Sequence, residues 1–84
     1  MTNKEILKKQ IIYRSIHRGF KEMDLLLGKF VKTYINEFSE SDLKDLNKLL
    51  YVEDAVIYKW YLNKNEDKSI PKTKVSSMLK DFKL

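Results

Sequence analysis

Met23, Leu27, Phe30, Val31, Tyr34, Ile35 and Phe38 recur at three- and four-residue steps. That spacing lines one face of an α-helix with apolar side chains, and such a face must be buried. The chain shows no convincing strand pattern to bury it against, so other helices must cover it. Gly28 falls inside the run, where the spacing predicts that a second helix packs closely.

Four further helical segments can be read. Residues 3–16 carry Ile6, Leu7, Gln10, Ile11 and Arg14 near one face, a thin apolar stripe. Ser39 and Asp42 open the next helix as N-cap and N3 of a capping box, and acids there suit the positive end of the helix dipole. Leu43, Leu46, Leu49 and Leu50 form its apolar face. Asp54 is a candidate cap for a fourth helix, with Ile57, Trp60 and Tyr61 aligned. The polar stretch 63–68 reads as a loop. Pro71 marks the start of a last helix, where its missing N–H does little harm; Val75, Met78, Leu79 and Phe82 form its face. The expectation is an all-α, compact five-helix bundle in a single small domain, residues 1–84. The second, third and fourth helices should supply most of the core, with the first and fifth packed less firmly. Trp60 should be a core anchor, and the tyrosines at positions 13, 34, 51, 58 and 61 core or half-buried.

Composition narrows the function. At 84 residues, 43% hydrophobic and 35% charged, the chain suits a folded domain rather than a disordered one. With no cysteine and one histidine, disulfides and thiolate metal sites are excluded, and a structural zinc site has too few ligands. The apolar runs are too short to span a bilayer, and residues 1–5 lack the character of a secretory signal or transit peptide. A cytoplasmic protein without membrane insertion is expected. The net charge of +5 is uneven: residues 1–36 hold 8 Lys/Arg against 3 acids, residues 37–67 hold 4 against 8, and residues 68–84 hold 5 against 1. A basic first third suits an acidic partner, whether protein, phosphate or nucleic acid.

Arg18-Gly19-Phe20-Lys21-Glu22 stands out against this background. Glycine costs a helix about 1 kcal/mol relative to alanine. Arg18 and Glu22 lie four apart in the less favourable order, base before acid. A plain reading makes Gly19 a helix C-cap or turn residue tolerating positive φ, flanked by ordinary surface charges. A functional reading makes the pentapeptide a presented turn. Arg18 would then pair in planar fashion with a carboxylate or phosphate, and Glu22 with a partner's arginine. His17 beside Glu22 lacks the nucleophile and pocket that a general base needs, and the serines lack a nucleophile-elbow context. Lys8, Lys9, Arg14, Arg18, Lys21, Lys29 and Lys32 could face phosphates, but no helix-turn-helix or phosphate-binding loop accompanies them.

Residues 12–30 resemble the succinate dehydrogenase assembly factor (flavinylation factor) family, whose hallmark is Arg-Gly-x-x-Glu followed by an apolar helix. Here the hallmark falls on Arg18, Gly19 and Glu22, with Asp24 and then Leu25, Leu26 and Leu27 following. The likeness continues more weakly through Leu49 and Leu50 to Asp54 and Trp60, and covers roughly residues 11–63. Two positions depart from the pattern: Val56 replaces the second acid of the family's Asp-x-Asp, and Asn63 replaces a glycine after the tryptophan.

The resemblance implies a five-helix bundle that acts as a chaperone-like helper, not an enzyme. Such a helper promotes covalent FAD attachment to the flavoprotein subunit of succinate dehydrogenase, with fumarate reductase a candidate second client. It implies a partner-binding surface at Arg18, Gly19 and Glu22, with Arg14, His17 and Asp24 beside them. There Gly19 lets the turn approach the partner while Arg18 and Glu22 clamp complementary groups. No flavin fingerprint is present, so no tightly bound cofactor is expected; nor is a nucleic-acid partner, and the free chain should be a monomer. The alternative is a small basic nucleic-acid- or ribosome-associated helical protein.

Overall fold

Five α-helices follow one another in the computed structural model, which describes residues 2–16, 18–19, 21–63 and 66–83. They are α1 (Asn3–Ile16), α2 (Lys21–Tyr34), α3 (Glu40–Leu49), α4 (Asp54–Asn63) and α5 (Lys74–Asp81). No strand occurs among the described residues. The radius of gyration, 11.9 Å, is about what a compact domain of this length should have.

Local chemistry explains the helix ends. Thr2 Oγ1 accepts the Glu5 N–H at 3.1 Å, starting α1 as a side-chain N-cap does. The expected capping box of α3 is formed: the Asp42 N–H donates to Ser39 Oγ, and the Ser39 N–H donates to Asp42 Oδ2. The last helix starts later than Pro71 suggested. Thr73 is its N-cap, and Ser76 completes a second capping box. An Asx turn at Asp67 precedes it, with the Ser69 N–H on Asp67 Oδ1 at 2.8 Å, and Ile70 is buried just beyond.

The core gathers Met23, Leu26, Leu27, Phe30 and Val31 from α2 with Leu43, Leu46 and Leu49 from α3. Ile35 and Phe38 join them from the α2–α3 connection and Leu50 from the end of α3, and Trp60 is buried as expected. The first and fifth helices are placed differently from the expectation. α1 buries little beyond Ile11 and Ser15, yet it packs directly on α2 and α3. α5 contributes Val75 and Leu79, both fully buried, and packs on α3. Just past α5, Phe82 sets its ring edge-on to Phe30 with centroids 5.3 Å apart. Phe30 also meets Tyr34 and Phe38, and the Tyr61 hydroxyl donates to the Phe82 carbonyl. Two tyrosines depart from the expected burial: Tyr13 and Tyr51 are exposed. At Gly28 the two helices are in contact, but not closely enough to require glycine. A Cβ there would stand 3.4 Å from Ile16 Cγ2 of α1.

Candidate functional site

The residues singled out by the sequence meet where α1 turns into α2, but Arg18 does not point outwards. Its side chain is only 9% exposed. Nε and Nη2 both reach Asp54 Oδ1, Nε at 2.6 Å. Nη1 donates to the carbonyls of Arg14 and Leu50, at 3.2 and 2.7 Å, and Nη2 donates to the Val52 carbonyl at 3.2 Å. Arg14 belongs to the last turn of α1, and Leu50 is the C-cap of α3. The guanidinium therefore sits where two helix dipoles end negatively. Asp54, in the first turn of α4, places its negative charge where that helix is positive. It was expected to cap α4, but its carboxylate reaches across to Arg18 and Gly19 of the α1–α2 turn instead, and the Glu53 carbonyl accepts the Ile57 N–H.

The turn itself is gripped from both sides. The Arg18 N–H donates to Asp24 Oδ1 at 2.9 Å, and the Gly19 N–H donates to Asp54 Oδ2 at 2.5 Å. Both Asp54 oxygens are thus engaged, one by the guanidinium and one by the backbone. Gly19 is needed here for closeness rather than for positive φ. A Cβ at this position would lie 3.1 Å from Asp54 Oδ2, tight enough to push the carboxylate aside.

Glu22 is different in kind. It is exposed in the first turn of α2 and has no ion-pair or hydrogen-bond partner among the described residues. Arg18 pairs with Asp54, 36 positions along the chain, and not with Glu22 four positions away. Arg14 also has partners within the bundle: Nη1 donates to Asn47 Oδ1, and its guanidinium lies 4.5 Å over the Tyr51 ring. Asp24 is half-buried and holds the turn. His17 lies outside the described residues. Of the expected surface, the structure exposes Gly19 and Glu22, and ties Arg18, Arg14 and Asp24 into the bundle that supports them.

Sequence reasoning missed the Arg18–Asp54 pair. The available signal was the family-like acid at position 54, read as a helix cap. The basic face offered to phosphates is likewise reduced, since Arg14 and Arg18 are engaged internally and Lys8 Nζ donates to Asn36 Oδ1 at 3.2 Å. Among the described residues, no group of three His, Cys, Asp or Glu could hold a metal ion, and no helix is long and apolar enough to cross a membrane. Depressions beside Trp60 enclose about 200 and 230 Å³. A broader, shallow depression of about 890 Å³ lies along the outer face of α2, with Ile16 at the end of α1 on its edge.

Fold and site together define a small helical bundle in which one braced turn lies beside an unpaired carboxylate. The chain belongs to the family described as the flavinator of succinate dehydrogenase, which it matches over residues 9–83. It is 42% identical over 77 residues to a protein of Scheffersomyces stipitis named succinate dehydrogenase assembly factor 2, mitochondrial, covering 90% of this chain and 52% of that protein. Proteins of the same name from Dictyostelium discoideum and Danio rerio are 45% identical over 62 residues and 35% over 80. These alignments cover 74% and 93% of this chain, and 44% and 51% of the respective relatives. The chain spans about half the length of the curated relatives it matches. No solved structure gives a significant match.

The expectation of a cytoplasmic location is overturned, because these relatives are named mitochondrial. That expectation rested partly on residues 1–5, and in a chain half the relatives' length those residues say nothing about an address.

Proposed function

We propose that this chain docks on the flavoprotein subunit of succinate dehydrogenase and promotes covalent FAD attachment to it, with the Gly19 turn and Glu22 as the contact. One observation carries the reading: the motif is divided between a braced interior and an unpartnered exposed acid. Arg18, Asp54 and Asp24 fix the turn. Glu22 stands beside it with its charge unused, on a helix end whose dipole already favours an anion. An unpaired carboxylate of this kind, on a backbone fixed by the braced turn, suits a cationic side chain or backbone N–H groups on a partner.

The chemistry of attachment is assigned to the client. The chain acts as a helper and not as an enzyme, holds no FAD tightly, and works as a monomer. Its contribution is differential affinity: binding the attachment-competent form of the flavoprotein more tightly than the other form shifts the population toward it. Fumarate reductase is a candidate second client through the same contact.

The test is co-expression with the succinate dehydrogenase flavoprotein, scored as denaturation-resistant flavin fluorescence in a gel. Wild type should raise the covalent flavin strongly. Glu22→Ala, an exposed substitution that leaves the bundle folded, should remove most of that rise. An undiminished yield with this variant overturns the contact. A nucleic-acid role would instead appear as binding that weakens steeply with salt, whatever the sequence offered.

A further inference from the structure

α2 buries one face in the core, yet its other side is not plainly polar. Leu25 is 56% exposed. Across from it on α1, Ile12 and Ile16 are 44% and 50% exposed. Between them Gly28 contributes no side chain, so a groove stays open along the α1–α2 seam. Its broad part, about 890 Å³, is a shallow depression on the outer face of α2 that runs from Asp24 and Leu25 to Thr33, with Ile16 of α1 at its edge. It continues through Gly28 and Lys32 into a second part of about 290 Å³ that reaches Ile35 and Asn36. From Asp24 to Asn36 the seam follows about three helical turns, ~18 Å. Gly28 has no positive φ to require it, and a Cβ would only just touch Ile16. A longer side chain there would fill the groove.

Charge selects the occupant. Lys29 and Lys32 line the groove, are exposed, and have no partner among the described residues. Lys8 stands near the far end, bonded to Asn36. The acid lining the groove, Asp24, already accepts the Arg18 N–H with one oxygen. An apolar floor three turns long, bordered by lysines, fits a helix with apolar residues at i, i+3 or i+4 and i+7 and carboxylates along one flank.

We infer that the α1–α2 groove is a docking site for an acidic amphipathic helix of the client flavoprotein, adjoining the Gly19 turn. The inference rests on the proposed function for the identity of the client, and adds a second contact distinct from Glu22.

The experiment measures the affinity of the full chain for the purified flavoprotein, comparing wild type, Leu25→Asp, the pair Lys29→Glu with Lys32→Glu, and Glu22→Ala. Circular dichroism and melting of each variant serve as folding controls. Leu25, Lys29 and Lys32 are exposed, so these variants should fold as wild type does. Leu25→Asp and the lysine pair should each weaken binding at least tenfold. A photo-crosslinking residue at Thr33 should capture a helical client segment carrying acids beside its apolar positions. Unchanged affinity for both groove variants, with Glu22→Ala weakened, overturns the groove while leaving the proposed function standing. Capture of a basic or extended segment also overturns it. So does wild-type self-association that Leu25→Asp abolishes, since the occupant is then a second copy of this chain. If wild type neither binds the flavoprotein nor raises its covalent flavin, the proposed function and the groove fall together.

Discussion

Two regions of this bundle are held by opposite physics. Around Phe30, the rings of Tyr34, Phe38 and Phe82 pack at centroid distances of 5.2–6.3 Å, and stability there comes from apolar area removed from water. Around Arg18 it comes from an ion pair, three carbonyls and two backbone N–H groups, each with an assigned partner. The first region is graded, since losing a methylene costs in proportion to the space left. The second is closer to all-or-none, because a buried charge that loses its partner is stranded. Arg18 and Gly19 of the family motif lie in the second, so this part of the motif is sensitive to single atoms where the core is sensitive to volume.

The largest expected effect is on stability at the aromatic end. Phe30→Ala should cost about 3–5 kcal/mol, enough to unfold much of an 84-residue domain near physiological temperature, whereas Phe30→Leu should keep most of the stability. A chemical melt giving nearly equal losses for the two variants would break the graded picture. Asp54→Ala should cost about 3 kcal/mol by stranding Arg18, a fall of roughly 12–24 °C in Tm for a domain this small. It should also lower covalent flavin yield at temperatures where the variant is still folded, although Glu22 is untouched. Normal yield from folded Asp54→Ala would separate the brace from the function.

Gly19→Ala is a finer probe. Its Cβ would meet Asp54 Oδ2 at 3.1 Å, so a loss of about 1 kcal/mol is expected from displacement of the carboxylate. The melting change should shrink when Gly19→Ala is made in an Asp54→Ala background, as a double-mutant cycle would show. The smallest effect lies away from both regions. Asp42 has its carboxyl held below the usual 3.8, first by the Ser39 backbone N–H, with partial burial opposing and the Ser39 hydroxyl and Lys74 adding to the lowering. The native state therefore gives up this proton more readily than the unfolded chain. The stabilisation is complete above the unfolded value and disappears as pH falls through the lowered native one. Asp42→Asn should flatten the dependence of Tm on pH below about pH 4. An unchanged slope would show that the capping box contributes nothing through its charge.

Much of the fold was legible because its signals are local. The 23–38 run, the leucines of α3 and the Ser39–Asp42 box each lie within a few residues, where periodicity and side-chain-to-backbone bonds decide the outcome. The start of α5 was less so. Proline at 71 was the stronger sequence mark, while Thr73 and Ser76 form a box with a hydroxyl where glutamate is the usual third residue. The exposure of Tyr13 and Tyr51 follows from tertiary placement that helical spacing does not contain. The motif could be located but its division of labour could not. Arg18 reads as a presented cation until the fold brings Asp54 to it across 36 positions, and no local rule anticipates such a partner.

That partnership makes the turn a sensor of its own integrity. The Arg18 side chain simultaneously requires the end of α1, the end of α3 and the beginning of α4 to be in place. Opening any one of them by local unfolding removes ligands from the guanidinium and releases the grip on Gly19. A chain caught halfway through folding therefore lacks the braced turn, which only a finished bundle assembles.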